Sequence, residues 1–481
     1  MRRQDGGRGS RAERRTVRAG ATVAASRARF LGVATALGIA LSAATQASAQ
    51  GALTQLEGTA GCVSETGSAG NCADGIALSE AQSIAVTGNG VHVYAAAGSS
   101  DGVAAFLRSP STGGITQLAG TAGCVTESGT AGQCTVGRAL LGAREVALPA
   151  NAKHVYVAAP GSDAVAVFAR DAATGALTQL AGTAGCVSED GTGGSCTDGF
   201  ALNGARSIAL TANGKHLYVA SRDSDAIVAF TRDNASGALT ELPGAGACVS
   251  ENGTGGLCAN GVALDFPTSV AVPKDGKHVY VATAGSHAVA AFARDKSTGG
   301  LTQLTGLAAC VSDDGTGGVC ADGRALLGAF SVAVSQDGKN VYVGSRDANA
   351  IAVFARSKTT GALTQLTGLA GCVSEDGTGG TCTDGKALVG VVSVVASRDG
   401  KNVYAASEGS DAVAVFARDR KTGALTQLGG IDGCVSEDGS GGICGGGKAL
   451  NEARAVALSR NGRSAYVASA TSDAVAAFER D

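Results

Sequence analysis

The fold is decided by residues 205–242, which read ARSIALTANGKHLYVASRDSDAIVAFTRDNASGALTEL. Two short apolar runs, 206–210 and 215–220, are separated by an Asn-Gly dipeptide, which is typical of a two-residue β-hairpin turn. A third run covers 226–231, and a fourth, 238–242, follows a polar turn. Four consecutive antiparallel strands of this length are the make-up of one blade of a β-propeller.

This stretch belongs to a unit that recurs seven times with a period of 62 residues. All tyrosines of the chain occupy one position of the unit: Tyr94, Tyr156, Tyr218, Tyr280, Tyr342, Tyr404 and Tyr466. The cysteines keep the same period: Cys62 and Cys72, Cys124 and Cys134, Cys186 and Cys196, Cys248 and Cys258, Cys310 and Cys320, Cys372 and Cys382, Cys434 and Cys444. A strict internal period of this length is typical of propellers, solenoids and other arrays.

The two ends of the repeat region favour a closed ring over an open solenoid. Residues 51–56 have the pattern of an outer fourth strand, whereas the last unit stops after its third strand. Pairing these two ends would remove two exposed sheet edges. We therefore predict an all-β fold for residues 50–481, a seven-bladed β-propeller of four-stranded antiparallel blades, closed by an N-terminal strand that completes the last blade.

Residues 1–49 have a different composition from the repeats. They carry nine arginines and two acidic residues, then an apolar run at 30–44 and the sequence Ala47-Ser48-Ala49. This order predicts a secretory signal peptide with cleavage before Gln50. The pair Arg14-Arg15 leaves the twin-arginine export route open as an alternative. No later apolar stretch reaches about 18 residues, so we predict no membrane span.

The charge balance of the repeats indicates which classes of molecule the protein is expected to bind. The whole chain has 38 basic and 41 acidic residues, and without the first 49 residues the net charge is about −10. Nucleic acids and anionic membranes require clustered Lys and Arg, so this balance disfavours both. We expect a secreted or cell-surface monomer whose partner is a small anionic ligand or an extracellular protein.

Each cysteine pair lies in a glycine-rich loop, such as CVSEDGTGGSC at residues 186–196. In an exported protein this spacing predicts seven local disulfides. Zinc is the competing interpretation, but it usually requires closer cysteines or histidine, and we predict no metal. The carboxylates of these loops, such as Glu189, Asp190 and Asp198, have the chemistry of calcium ligands. The alternative is that short acidic side chains cap the glycine turns, so we expect no cofactor.

Two short strings of the repeat resemble a known family. Residues 335–343, SQDGKNVYV, and residues 411–419, DAVAVFARD, followed by TGALT at 422–426, are similar to blade sequences of the seven-bladed lactonase family, which includes 6-phosphogluconolactonase, and of YVTN-repeat surface propellers. The resemblance implies the propeller fold, a ligand site on the face that carries the connections between second and third strands, and lactone hydrolysis as the activity. The cysteine loops depart from the usual lactonase pattern.

In a chain of near-identical units, a binding site is expected where the copies differ. At the start of the first strand the series is Gln82, Arg144, Arg206, Thr268, Phe330, Val392 and Arg454. After the second strand it is Gly98, Pro160, Arg222, Ala284, Arg346, Glu408 and Ala470. A nearby aspartate position reads Asp101, Asp163, Asp225, His287, Asn349, Asp411 and Asp473.

These differences predict a funnel with a cationic sector and an apolar sector, suited to an amphipathic anion. The predicted ligand-binding residues are Gln82, Arg144, Arg206, Arg222, Arg346 and Arg454. The alternative for two of them is an exposed ion pair with the next residue, Arg222 with Asp223 and Arg346 with Asp347, which would contribute little.

Two functional classes remain open. The first is an extracellular binding or interaction scaffold. The second is a lactone hydrolase, a carboxylic ester hydrolase in which arginines polarise the carbonyl group and His287 or Glu408 directs a water molecule. No serine hydrolase signature, meaning a G-x-S-x-G motif together with its catalytic partner residues, supports the second class.

Overall fold

The computed structural model describes residues 49–481, in which the chain forms seven six-stranded sheets. The sheets follow one another along the chain, and the first strands of neighbouring sheets contact each other around the whole circle, including the last with the first. The predicted seven-bladed β-propeller is therefore confirmed. Most of the predicted signal peptide, residues 1–48, lies outside the described residues.

The first three strands of each blade form an antiparallel meander from the centre outward. The first strands are Ala81–Val86, Glu145–Ala147, Ala205–Leu210, Pro267–Ala271, Ala329–Val334, Val391–Ala396 and Ala453–Leu458. The second strands are His92–Ala97, His154–Ala159, His216–Ser221, His278–Thr283, Asn340–Ser345, Asn402–Ser407 and Ser464–Ser469. The third strands are Gly102–Arg108, Ala164–Arg170, Ala226–Arg232, Ala288–Arg294, Ala350–Arg356, Ala412–Arg418 and Ala474–Arg480.

The outer edge differs from the predicted single fourth strand, because it is divided into two short strands. One pairs with the second half of the third strand: Leu53–Gln55, Ile115–Gln117, Leu177–Gln179, Leu239–Glu241, Leu301–Gln303, Leu363–Gln365 and Leu425–Gln427. The other begins at the first cysteine and pairs with the first half: Cys62–Ser64, Cys124–Thr126, Cys186–Ser188, Cys248–Ser250, Cys310–Ser312, Cys372–Ser374 and Cys434–Ser436. Together, the two short strands provide hydrogen-bond partners for the backbone N–H and C=O groups along the whole third strand.

Short 3₁₀ helices connect these outer strands. One set lies before the first cysteine: Gly58–Gly61, Gly120–Gly123, Gly182–Gly185, Gly244–Gly246, Gly306–Ala308, Gly368–Gly371 and Gly430–Gly433. The other lies inside the disulfide loop: Gly67–Gly70, Thr130–Gly132, Gly191–Gly194, Gly253–Gly256, Gly315–Gly318, Gly377–Gly380 and Gly439–Gly442. A two-residue strand parallel to the cysteine strand ends each unit: Ala73–Asp74, Thr135–Val136, Thr197–Asp198, Ala259–Asn260, Ala321–Asp322, Thr383–Asp384 and Gly445–Gly446.

The ring closes as predicted. Leu53–Gln55 pairs antiparallel with Ala474–Arg480, with Leu53 opposite Arg480, and Cys62–Ser64 completes the same sheet. The backbone N–H of Gly51 also donates to the carbonyl of Asp481 at 2.6 Å. The first described strands are thus part of blade 7.

Neighbouring blades are joined by a repeated set of contacts, which we call the blade clasp and illustrate between blades 4 and 5. The buried Tyr280 hydroxyl donates to the carbonyl of Gly361 at 2.7 Å and accepts from Nε of Arg356 at 2.8 Å. The same guanidinium lies 2.7 Å from Nδ1 of His278 and 2.9 Å from Asp275. The clasp therefore accounts for the recurrence of tyrosine at one position of the unit.

Candidate functional site

The first strands surround a central cavity of about 400 Å³, and we call the end of the cavity where these strands begin its mouth. The residues of the first compared series all line it: Gln82, Arg144, Arg206, Thr268, Phe330, Val392 and Arg454. In six blades this residue sits in a β-bulge, where the pairing with the second strand shifts by one residue. A bulge turns a side chain out of its regular direction. Here the side chain that is turned is the one that lines the cavity.

Arg144 and Arg206, from adjacent blades, are the two described cavity arginines that form no ion-pair contact with a carboxylate. Neither guanidinium has a hydrogen bond or ion pair with any residue between 49 and 481, although Arg206 stacks on the Phe330 ring at 4.7 Å. Removal from water lowers the pKa of Arg144 to about 10, and repulsion from Arg454 contributes to this. Burial, followed by repulsion from Arg144, also lowers the pKa of Arg206. An anion placed between them would relieve both effects.

Arg454, the third arginine of the cavity, is already paired. Its guanidinium contacts Glu408, which is only 9% exposed, and lies 3.4 Å from Glu452. Glu408 also contacts Arg346. Arg346 thus pairs with Glu408, and not with Asp347 as in the alternative considered from the sequence. Arg346 and Arg454, both predicted to bind the ligand, share this one carboxylate.

Glu145 is a cavity residue that the sequence comparison missed. Its position follows the compared series by one residue and reads Ser83, Glu145, Ser207, Ser269, Ser331, Ser393 and Ala455. Its carboxylate accepts from the backbone N–H of Ile208 at 2.9 Å, as Ser207 accepts from Val270 at 3.2 Å. Burial raises the pKa of Glu145 to about 7, against the opposing effects of its hydrogen bonds and of the nearby arginines. Comparing this fourth position across the copies would have revealed it.

A smaller cavity of about 220 Å³ adjoins the central one at the rim and shares Gln82, Arg144 and Arg206 with it. Arg222 lines this rim cavity, 3.7 Å from Asp223 in an ion pair whose side chains are 47% and 52% exposed. Its guanidinium also lies over the ring of Phe266. The exposed Arg222–Asp223 pair weighed in the sequence is therefore present, beside the cavity.

His287, a candidate base, contacts the backbone of the next blade. Its Nδ1 accepts from the N–H of Gly328 at 3.0 Å. The carboxylate of Asp163 makes the same contact with Gly204 at 2.6 Å, and the amide oxygen of Asn349 with Gly390 at 2.8 Å. His287 thus takes the place of an inter-blade hydrogen-bond acceptor, and it does not line the central cavity formed by residues 49–481.

The cysteine loops carry the predicted disulfides, which join all 14 cysteines in consecutive pairs. Their acidic residues bind backbone groups: Glu189 accepts from the N–H of Leu202, and Asp190 from that of Thr192 at 2.7 Å. Within the described part of the chain, no cluster of three or more His, Cys, Asp or Glu side chains has the arrangement of a metal site. The same residues include no helix with the length and apolar character needed to cross a membrane.

Comparison with known proteins supports the resemblance found in the sequence. The family described as "Lactonase, 7-bladed beta-propeller" matches residues 142–252, which include Arg144, Glu145 and Arg206. A search of the curated proteins finds no match.

Several solved structures are similar to this chain. A putative 6-phosphogluconolactonase from Bacteroides uniformis is 19% identical, with a TM-score of 0.49, over 72% of this chain and 82% of that one. A protein from Lactobacillus plantarum is 21% identical, with a TM-score of 0.49, over 73% and 84%. The periplasmic gluconolactonase of Pseudomonas aeruginosa is 16% identical, with a TM-score of 0.49, over 72% and 83%.

Proposed function

We propose that this lactonase-like propeller is a secreted binding protein whose central cavity takes a small organic anion. The observation that carries the proposal is the pair Arg144 and Arg206, two half-buried cations whose guanidinium groups make no hydrogen bond or ion pair with residues 49–481. A buried charge is unfavourable unless it is paired. The ligand is the missing partner, and the cavity volume of about 400 Å³ is in the range of small-molecule sites.

The planar guanidinium favours a carboxylate or phosphate, because each fork can donate two parallel hydrogen bonds to such a group. The arginines come from neighbouring blades, so the ligand would bridge blades 2 and 3. Secretion is proposed on two grounds, the signal-peptide pattern of residues 1–49 and the seven disulfides, which persist in oxidising compartments.

Calorimetric titration of the mature protein with acetate, phosphate and gluconate tests the proposal. Arg144→Gln and Arg206→Gln imitate Gln82, the residue at the same position of blade 1, so the fold should tolerate them. We expect each substitution to weaken binding by about tenfold or more, the effect of losing one charge-assisted hydrogen bond. Arg460→Gln, on an exposed hairpin of blade 7, is the control and should bind as the wild type does. Equal affinity in all four proteins would refute the proposal.

A second candidate, lactone hydrolysis, is favoured by one further observation: a carboxyl group with a raised pKa stands beside the two arginines. In this scheme ionised Glu145 takes a proton from a water molecule, whose oxygen bonds to the lactone carbonyl carbon. Arg144 and Arg206 stabilise the oxyanion. The ring C–O bond then breaks, and the leaving oxygen takes the proton from Glu145 to give a hydroxy acid.

A pH-indicator assay over a panel of lactones tests this second candidate. Turnover should rise with pH through about 7, because only ionised Glu145 accepts a proton. It should be lost in Glu145→Gln and in Arg206→Ala. Glu145→Ser, which introduces the residue that five other blades carry at this position, checks that the fold is intact. Turnover that survives Glu145→Gln would rule out Glu145 as the base. No turnover with any lactone would rule out this second candidate and leave binding as the only proposed function.

A further inference from the structure

The central cavity changes character with depth. At the mouth, blades 2 and 3 contribute Arg144 and Arg206, and blades 5 and 6 contribute Phe330 and Val392, with the Arg206 guanidinium stacked on the Phe330 ring at 4.7 Å. Below lies the series that begins at Ser83, whose hydroxyls accept backbone hydrogen bonds from the next blade. Beneath it, an aliphatic layer with one residue from each of six blades continues the wall, with side chains such as Ile84, Val270 and Val332.

We infer that the anion of this site is a monocarboxylate with an unbranched aliphatic tail, an inference that rests on the proposed function. The carboxylate lies between Arg144 and Arg206, and the tail lies against Phe330, Val392 and the aliphatic layer. Water is poorly held by an apolar wall, so a hydrocarbon chain is the favourable occupant. A polyhydroxylated acid would place hydroxyl groups against aliphatic side chains, where they would lose hydrogen bonds.

The charge of the cavity also favours a single carboxylate. Glu408 already pairs with Arg454, which leaves the positive charge concentrated at Arg144 and Arg206 on one side of the mouth. A second anionic group at the far end of the ligand would lie against the aliphatic layer, which provides no cation among the described lining residues. Desolvating an unpaired charge is strongly unfavourable.

The test is a calorimetric series of acetate, butyrate, hexanoate and octanoate on the mature protein, below the micelle concentration. We expect affinity to rise about fourfold for each methylene that becomes buried. Phe330→Gln with Val392→Thr uses the residues of blades 1 and 4 at this position, and Val332→Thr keeps the shape of the aliphatic layer. In both proteins affinity should depend more weakly on chain length than in the wild type.

Leu327→Asn, an exposed residue outside the cavity that is Asn203 in blade 3, is the control and should keep the full dependence. Affinity that requires the arginines but is equal for all four acids would overturn this inference and leave the proposed function intact. Failure of every acid and of phosphate to bind would overturn both. A chain-length dependence that persists unchanged in Phe330→Gln with Val392→Thr and in Val332→Thr would place the tail elsewhere and also overturn the inference.

Discussion

Glu408 of blade 6 accepts a hydrogen bond from the guanidinium of Arg454 in blade 7 and so pairs with one of the three arginines that line the central cavity in residues 49–481. An incoming anion competes with this carboxylate for Arg454. Glu408 therefore limits the number of cations that a ligand meets.

Substitution of Glu408 is expected to tighten anion binding. Alanine occupies the equivalent positions 284 and 470, so Glu408→Ala should fold. It frees Arg454 for the ligand, and affinity for acetate should rise about tenfold, the effect of one added charge-assisted hydrogen bond. The ligand-free protein should melt at a lower temperature, since Arg454 loses its partner. Asp347→Gly, which removes another carboxylate near the mouth, is the control. Unchanged or weaker binding in Glu408→Ala would contradict this account.

Acid should weaken the blade clasps that contain histidine. Burial lowers the pKa of His154, His216 and His278 below the ordinary value, and the clasp arginines lower it further. A histidine whose pKa is lower in the folded than in the unfolded state stabilises the folded protein fully when the pH is above the unfolded pKa of about 6.5. This stabilisation is lost as the pH falls through the folded pKa. The melting temperature should therefore drop on acidification from pH 7 to pH 5.

Asparagine provides a matched test of this acid effect. Asn340 accepts from Arg418 at 2.6 Å in the same clasp position, so the structure already accommodates the replacement. The triple variant His154→Asn, His216→Asn and His278→Asn should melt like the wild type at pH 8 and lose less stability at pH 5. An equal acid-induced decrease in both proteins would show that other groups are responsible.

Glu241 should destabilise the protein as the pH rises. The equivalent Gln303 donates to the carbonyls of Val262 and Ala309, but the Oε1 atom of Glu241 is buried without a partner among the described residues. Burial raises the pKa of Glu241 to about 7. A carboxyl group whose pKa is raised on folding stabilises the folded protein fully when the pH is below the unfolded pKa of about 4.3. This stabilisation is lost as the pH rises through the folded pKa.

Glu241→Gln restores the residue of the other six blades and should remove this pH dependence. At pH 8 we expect it to increase the free energy of unfolding by about 1–2 kcal/mol, the contribution of the recovered hydrogen bonds. At pH 5 the two proteins should differ less. Denaturant unfolding at both pH values measures the effect, and a decrease in stability at pH 8 would contradict it.

Ring closure depends on Leu53–Gln55. Deleting residues 51–56 removes the strand opposite Phe478 and the carbonyl of Gly51 that accepts from Tyr404 at 2.7 Å. We expect a lower melting temperature and a larger radius of gyration by small-angle scattering, because the outer edge of Ala474–Arg480 loses a partner strand. The control is a chain that begins at Gln50 and keeps these residues. Identical melting and size would refute the role of this strand.

The ring and its closure were predictable because the pattern of strands and turns repeats with an unbroken period. The division of the outer strand was not. Glycines such as those of Gly182–Gly185 look like a continuous loop, and Cys186–Ser188 becomes a strand only because Ala164–Ala166 requires a partner. That requirement arises from the assembled sheet.

The candidate site was predictable only in part. Comparing copies identified Arg144 and Arg206, because a residue that departs from its repeat stands out without any knowledge of the structure. It did not predict that Glu408 binds Arg346 and Arg454, which come from three different blades. Such pairing depends on side-chain reach across blades, which the period alone does not specify.

The blade clasp and the cavity use different residues. In residues 49–481, the tyrosines and arginines that tie the blades together, such as Tyr280 and Arg356, do not line the cavity. The blade clasp therefore does not depend on the side chains that line the cavity. During evolution, a few substitutions at cavity positions can therefore change which molecule is bound, while the fold is inherited unaltered.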